Sequence, residues 1–347
     1  MDSRKVLVGV SGGVDSSVCV ELLKKSGYEV EGAVIDFSEH SAVAIEDAKR
    51  VCAHLDIPLY VIDARESFEE NVVLPFCQSY VDGKTPNPCI LCNPLVKFNA
   101  LAKKAEELGI PFIATGHYAQ VEEKEGVFYV KKAVSSLKDQ SYMLYRLPQE
   151  ILKRLLLPLG GYDKPTIRQM AEDLGLFNAN KPDSQEICFI PDGDHAKFIE
   201  ERGFSAKKGF FISPDGKKLR EHEGIHHYTI GQRKGLNIAL GKPVFIKEIA
   251  ENGDIFLGFA GDEFFKSVIL QEVVYTAQRP FPMGEEYSVK IRSASKGETA
   301  IVTQSDAYGI VLSFKTPVRA AAKGQSLVVY KDDFVVGGGF IAGAVAK

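Results

Sequence analysis

Val6-Leu7-Val8-Gly9-Val10-Ser11-Gly12-Gly13-Val14-Asp15-Ser16-Ser17 decides how the rest of the chain is read. An apolar run, Val6 to Val10, leads into two glycines, Gly12 and Gly13. A helical pattern follows, with Val18, Leu22 and Leu23 on one face and Gly27 as its stop. Strand, glycine turn and helix in that order put unpaired backbone N–H groups at a helix N-terminus, where the dipole is positive. Glycine lets the backbone approach an anion and adopt positive φ. The hydroxyls of Ser11, Ser16 and Ser17 are further donors, so the expected ligand is a phosphate or pyrophosphate.

No lysine stands between Gly9 and Glu21, which excludes a Walker A loop. Gly-x-Gly-x-x-Gly is also absent, which excludes the dinucleotide fingerprint. Ser-Gly-Gly-x-Asp-Ser resembles the pyrophosphate loop of the ATP-pyrophosphatase class. That resemblance implies cleavage of ATP between its α and β phosphates and adenylation of a carbonyl oxygen.

Outward from the loop, Glu29 to Phe37 reads as a second strand, Ala42 to Leu55 as a helix and Leu59 to Ile62 as a third strand. Alternating strands and helices mean right-handed βαβ units and a doubly wound parallel sheet, the α/β class. Ligands of such sheets bind at the carboxyl ends of the strands, where Ser11 to Ser16 lies. Phe68 to Tyr80 is helical. Pro86 and Pro88 hold the following segment extended, and a helix is expected from Asn93 as cap with Pro94 at its first position. Phe112 to Thr115 is a strand, Val121 to Val130 a hairpin, and Gln149 to Leu157, Pro165 to Leu174 and Asp194 to Arg202 helices. From about Lys207 strand-like runs alternate with turn signals, among them Asn252-Gly253 and Gly337 to Gly339. The expected domains are 1–206, an ATP-binding α/β domain; 207–266, a small β domain; and 267–347, a β-barrel or sandwich.

The 347 residues have ordinary composition, 45% hydrophobic and 25% charged, and a net charge of −4. A nucleic-acid partner therefore needs a local basic patch, and Lys131-Lys132, Lys207-Lys208, Lys217-Lys218 and Arg233-Lys234 are the clusters available. The N-terminus lacks a secretory pattern and no apolar run approaches ~20 residues, so a cytoplasmic, membrane-free monomer is expected. Six cysteines are too sparse for a disulfide scaffold. No residue set marks a resident metal site.

Cys19, Cys52 and Cys77 fall in helical patterns and suit a core. Cys89 and Cys92 form Cys-x-x-Cys, and Cys188 lies in Asp183-Ser184-Gln185-Glu186-Ile187-Cys188-Phe189-Ile190. If Cys92 precedes a helix cap, the dipole and Lys97 lower its pKa. Four readings are open: a redox pair, a zinc site, an iron–sulfur cluster on Cys89, Cys92 and Cys188, or a nucleophile with a sulfur carrier.

Thr85-Pro86-Asn87-Pro88-Cys89 with Cys92-Asn93 and Lys97-Phe98, Thr115-Gly116-His117-Tyr118, Lys138-Asp139-Gln140-Ser141, the Cys188 segment, and Thr229-Ile230-Gly231-Gln232-Arg233-Lys234-Gly235-Leu236 follow the loop in this order. The ordered set resembles the tRNA-specific 2-thiouridylase family over nearly the whole chain. The resemblance implies ATP-dependent 2-thiolation of a tRNA wobble uridine: ATP with Mg²⁺ adenylates the uridine 2-oxygen, and a persulfide sulfur displaces AMP. By position, Cys188 corresponds to the persulfide carrier, Cys92 to its nucleophilic partner and disulfide mate, and Asp15 to the loop carboxylate. The ATP site corresponds to Gly9, Val10, Ser11, Gly12, Gly13, Val14, Asp15, Ser16, Ile35 and Gly116. The tRNA-contacting positions correspond to Asn87, Pro88, Cys89, His117, Lys138, Asp139, Gln140, Arg292, Ser293 and Gln325. The implied partners are tRNA and a persulfide-donor protein.

Two departures stand out. Ser293 replaces an aromatic that often follows the arginine, and the segment after Phe37 is short and lacks tryptophan. Within enzymes the competing reading is another adenylating pyrophosphatase, such as an ammonia-using synthetase, or an iron–sulfur variant of thiolation. Outside enzymes it is a tRNA-binding or sulfur-relay module. Ammonia transfer needs no thiol, and a binding module needs no pyrophosphate loop.

Overall fold

A computed structural model describes residues 4–179, 181, 187–306 and 309–346. Asp183, Ser184, Gln185 and Glu186 of the Cys188 segment lie outside the described residues. The chain divides into two compact units, one of 1–72, 89–189 and 332–336, the other of 73–88, 190–331 and 337–347.

Elements follow in chain order: β1 (Lys5–Gly9), α1 (Val14–Lys25), β2 (Glu29–Asp36), α2 (Ala42–His54), β3 (Leu59–Asp63), α3 (65–81), α4 (88–107), β4 (Phe112–Thr115), β5 (Gln120–Lys124), β6 (Val127–Lys131), α5 (Gln149–Leu152), β7 (Leu155–Leu156) and α6 (Lys164–Asp173). Then come α7 (His195–Glu201), β8 (Phe210–Ile212), β9 (Lys218–Glu221), β10 (Val244–Ile249), β11 (Ile255–Phe259), β12 (Phe264–Tyr275), β13 (Glu286–Lys290), β14 (Glu298–Asp306), β15 (Gly309–Arg319), β16 (Ser326–Lys331) and β17 (Phe334–Ala346).

The first unit is the expected doubly wound sheet, all parallel, in the order β3-β2-β1-β4-β7. β1 is the central strand, and its Val6, Leu7 and Val8 are fully buried, as an unbroken apolar run requires. Strand order reverses at β1, so its carboxyl end and that of β4 flank the switch point, with Gly9 paired to Thr115. α1 buries Val14, Val18, Cys19 and Leu23 against the sheet and packs on α6.

In the second unit β10-β11-β8-β9 form a small sheet over Phe211, Ile246, Ile255 and Leu257, with the expected Asn252-Gly253 hairpin joining β10 to β11. The six strands β12-β15-β14-β13-β16-β17 form a sheet that β12 closes against β17, so the C-terminal segment is a barrel, not a sandwich.

Three expectations are corrected. Gly337 to Gly339 is not a turn; it lies inside β17 at the barrel seam, where a Cβ on Gly337 would fall 2.1 Å from the Val274 carbonyl oxygen. Glycine there permits close strand approach rather than chain reversal. Gln149 to Leu157 is helical only to Leu152, because Leu155–Leu156 adds to the sheet beside β4. The third correction is the helix start. The helix does not begin at Asn93 but at Pro88, and Asn93–Lys97 forms a π turn inside one continuous run. Pro94 has no N–H and its ring crowds the carbonyl four residues back, and a widened turn relieves both. Asn93 is buried, and its side-chain amide donates to the Met143 carbonyl (2.9 Å) instead of capping.

Among the described residues no helix is long and apolar enough to cross a membrane.

Candidate active site

Past Gly9 the backbone continues the sheet for one bond, Val10 N–H to the Ala33 carbonyl at 2.8 Å, and then turns. Gly12 makes that turn at φ +72°, and a Cβ there would lie 2.5 Å from Cβ of Asp47. Gly13, extended, is the N-cap of α1 and offers no side-chain cap, which leaves the first-turn N–H groups to a ligand.

The serines divide their work. Ser16 Oγ donates to the Gly13 carbonyl (3.0 Å), accepts from Ser11 N–H (3.2 Å) and meets Ser11 Oγ (3.3 Å). Ser17 is fully buried and its hydroxyl donates to the same Gly13 carbonyl (3.0 Å), so it braces the loop and is not a ligand donor as the sequence reading expected. Asn178, unread in the sequence, is buried and donates through Nδ2 to the Gly12 carbonyl (2.9 Å) and to Ser17 Oγ (3.2 Å). Sequence pattern could not find it, because 166 positions separate it from Gly12. Ile35 is half-buried at the carboxyl end of β2, two residues past Ala33.

Asp15 is the most strongly held side chain in the loop. Lys164 Nζ donates to both its oxygens at 2.8 Å, and Tyr118 OH donates to Oδ1 at 2.6 Å. Lys164 stands at the start of α6, a position set by Asp163, whose carboxylate caps the helix by accepting from Thr166 N–H, and by Pro165 in the first turn. Lys164 is buried, and such lysines survive only when paired. Tyr118 is itself clamped: Gln140 Oε1 accepts from its N–H (2.8 Å) and Gln140 N–H donates to its carbonyl (2.7 Å). Asp139 supports that loop by accepting from Ala133 N–H, Ser141 N–H and Ser141 Oγ. Asp139 and Gln140 therefore hold the wall of the loop site. Lys138 is half-buried beside them.

Gly116 lets β4 run against α1. A Cβ there would sit 2.9 Å from the Asp15 carbonyl carbon and from Ser16 N. Gly116→Ala is expected to lower stability by roughly 1–3 kcal/mol through overpacking against backbone. A thermal melt should show a midpoint several degrees lower, whereas an unchanged midpoint would mean that the strand end moves freely.

Cys89, Cys92 and Cys188 come together in this unit: Cys92 is within electrostatic reach of Cys89, Cys188 and Lys97, and Cys188 of Cys89 and Lys97. The expected lowering of the Cys92 pKa is not found: burial pushes its thiol up to about 12, and Lys97 only partly offsets this. Because the helix starts at Pro88, Cys92 sits inside it rather than before its N-terminus. Cys188 is exposed, yet its apolar surroundings also raise its thiol, with Lys97 opposing. Cys19, Cys52 and Cys77 are buried, as a core role requires.

The sulfurs of Cys89, Cys92 and Cys188 are not gathered within the 4.8 Å over which donors of one ion assemble. Nothing among the described residues supports the iron–sulfur reading. His117 accepts or donates at 2.7 Å to Thr115 Oγ1, and burial with Lys97 nearby holds it neutral.

In the second unit the loop before Pro88 is tied down: Thr85 N–H donates to the Lys323 carbonyl (2.9 Å) and Gln325 Nε2 to the Thr85 carbonyl (2.8 Å). Gln325 thus positions the Asn87 loop. Arg292 Nη2 donates to the Ala320 carbonyl (2.9 Å), and Ser293 is half-buried beside it. Of the basic clusters, Lys131, Lys132 and Lys217 pair with Glu122, Asp333 and Asp215, while Lys208, Arg233 and Lys234 are exposed.

Three family models match this chain: the tRNA methyl transferase HUP domain over residues 4–192, the tRNA methyl transferase PRC-barrel domain over 196–258, and the aminomethyltransferase beta-barrel domain over 265–341. A tRNA-specific 2-thiouridylase MnmA of Clostridium beijerinckii is 42% identical, covering 97% of this chain and 98% of its own. One of Acetivibrio thermocellus is also 42% identical, covering 98% of this chain and 100% of its own. A solved 4-thiouridine synthetase–RNA complex with bound ATP is a looser likeness, at 19% identity and TM-score 0.39 over 57% of this chain and 50% of that one, and no argument rests on it. Identity of this degree along the whole length is a mark of common descent, and the chain belongs to the tRNA-specific 2-thiouridylase family.

Proposed function

We propose that the chain is a tRNA-uridine 2-sulfurtransferase that converts the wobble uridine of tRNA to 2-thiouridine with ATP. The observation that carries this reading is a braced pyrophosphate loop and a thiol group under Lys97 in one compact unit. A methyl transfer, which the family-model descriptions name, needs no pyrophosphate loop.

ATP lies with its phosphates on the N–H groups of Gly12 to Ser16 and its adenine against Ile35, with Gly9, Val10 and Gly116 as the floor. Mg²⁺ arrives with the nucleotide and neutralises its phosphates; Asp15, the sole carboxylate of residues 9–17, is the residue that would touch it. Lys164 and Tyr118 hold Asp15 in place, and there it orients the charge of the bound nucleotide. The uridine 2-oxygen attacks the α phosphate and pyrophosphate leaves. The terminal sulfur of a Cys188 persulfide then attacks C2 and AMP leaves with its bonding pair. Cys92 sulfur attacks Cys188 Sγ, the persulfide S–S bond breaks toward the transferred sulfur, and a Cys92–Cys188 disulfide remains for a cellular thiol to reduce.

A persulfide-donor protein reloads exposed Cys188. We assign Cys89, His117 and Lys138 of the first unit to the target base, and Asn87, Pro88, Arg292, Ser293 and exposed Arg233-Lys234 of the second to the tRNA chain. We assign these roles to segments 1–206, 207–266 and 267–347 of a cytoplasmic monomer.

The test uses purified protein, unmodified tRNA, ATP, Mg²⁺ and a persulfide source. The expected products are 2-thiouridine at the wobble position with AMP and pyrophosphate in equal amounts. ADP and phosphate instead would sink the adenylation step, and a methylated base would sink the thiolation.

A further inference from the structure

The second unit carries a donor cluster that the thiolation chemistry does not use. α7 (His195–Glu201) presents Glu200 to the short 3-10 turn Ile225–His227. Glu200 Oε1 lies 3.0 Å from His226 Nε2 and 3.2 Å from His227 Nε2. One donor atom from each of the three residues lies within 4.8 Å of the others, the only such group among the described residues. Tetrahedral zinc with bonds near 2.1 Å separates its ligand atoms by roughly 3.4 Å, so this spacing is close to what one ion needs.

One observation points to a ligand rather than to an ordinary ion pair. His226 is 3% exposed and its Nε2 aims at Glu200. Beside it His227 Nε2 is buried, 3.2 Å from the same carboxylate oxygen, and has no hydrogen-bond partner. A buried imidazole nitrogen left so on the side that faces a carboxylate is uncommon and needs an explanation. The ring arrangement is also prescribed by the backbone: Gly224 sits at φ +151°, and a Cβ there would fall 2.6 Å from Nδ1 and Cε1 of His226. His195 on α7 further holds the turn through its Nε2 at 3.2 Å from the His226 carbonyl.

We propose that Glu200, His226 and His227 form a His₂–carboxylate site for a divalent cation of the zinc class. Imidazole with one carboxylate suits Zn²⁺, and three protein ligands leave a fourth position for water. Coordination through Nε2 needs that nitrogen unprotonated, so binding competes with protons. The bound cation fastens α7 to the turn that leads into Thr229-Ile230-Gly231-Gln232.

The test uses the full-length untagged chain, stripped with chelator, carrying Cys89→Ser, Cys92→Ser and Cys188→Ser to remove competing thiols. Titration with Co²⁺ alone should fill one equivalent with visible bands of a nitrogen–oxygen tetrahedral site and no thiolate charge transfer. Zn²⁺ should displace it and raise the melting midpoint. Glu200→Gln, at an exposed position, and His227→Phe should each weaken binding at least ~10-fold and abolish the midpoint shift. Failure to bind Co²⁺ or Zn²⁺ at micromolar concentration, or unchanged affinity in both variants, overturns the site. None of these readouts depends on thiolation activity.

Discussion

Cys188→Ser is expected to lose persulfide-dependent formation of 2-thiouridine by about three orders of magnitude or more while still releasing pyrophosphate from ATP in the presence of tRNA. The serine hydroxyl has nearly the same size but cannot hold a transferable sulfur, so on the proposed mechanism the carrier step disappears and the adenylation step is untouched. Single-turnover assays that follow AMP, pyrophosphate and thiolated tRNA separately read both steps. Wild-type thiolation in this variant would remove Cys188 from the carrier role, and joint loss of pyrophosphate release would mean that the substitution damaged the loop. A pH profile adds a second signature. Burial raises the Cys92 thiol to about 12, so it is protonated across the neutral range and its thiolate fraction rises tenfold per pH unit. The sulfur-release rate should therefore climb with slope near one between about pH 6.5 and 8.5. A plateau in that window would show that tRNA binding opens the pocket and lowers the thiol.

Lys164→Met is expected to slow ATP–pyrophosphate exchange by roughly 30- to 150-fold. Removing one partner of a fully buried ion pair costs about 3–5 kcal/mol. The Asp15 side chain keeps 33% of its exposure, which screens it, and about 2–3 kcal/mol is the discounted figure. Methionine retains the length and apolar stem of lysine, so the change isolates the charge. Arginine would not substitute, because its planar fork cannot be placed at one buried point. Tyr118→Phe removes one hydrogen bond to the same carboxylate and should fall well short of that loss. Exchange at the wild-type rate in Lys164→Met would mean that the lysine is only a strut for α6.

The parallel sheet and the ligand loop at its strand ends were readable because a continuous apolar strand, two glycines and a 3.6-residue stripe all lie within residues 6 to 23. The thiol group was nameable by position, but its electrostatics was not. The Cys92 pKa depends on where a helix starts, and Pro94 gave a start signal that the helix overrides by widening one turn. Asn178 and Lys164 were illegible for another reason. Each acts on the loop from far along the chain, and a lone Asn or Lys has no pattern; Gln140 was named, but for tRNA contact rather than for holding Tyr118. Gly337 to Gly339 misled because glycine marks both chain reversal and close strand contact, and only the partner strand tells which applies.

The π turn at Asn93–Lys97 has a consequence for how the thiols are aimed. An α-helix advances about 100° per residue, and a π turn takes one extra residue before the ladder resumes. The segment 98–107 keeps its apolar stripe on the core, while Cys89 and Cys92 are turned by about one residue's rotation relative to where an unbroken helix would hold them. The bearing of Cys-x-x-Cys is therefore stored in the width of one turn, which Pro94 keeps open. Replacing Pro94 would let that turn close to α geometry and swing both sulfurs by about one residue's rotation, whereas the loss of a single residue from 93–97 would remove the extra residue and leave the bearing nearly as it is.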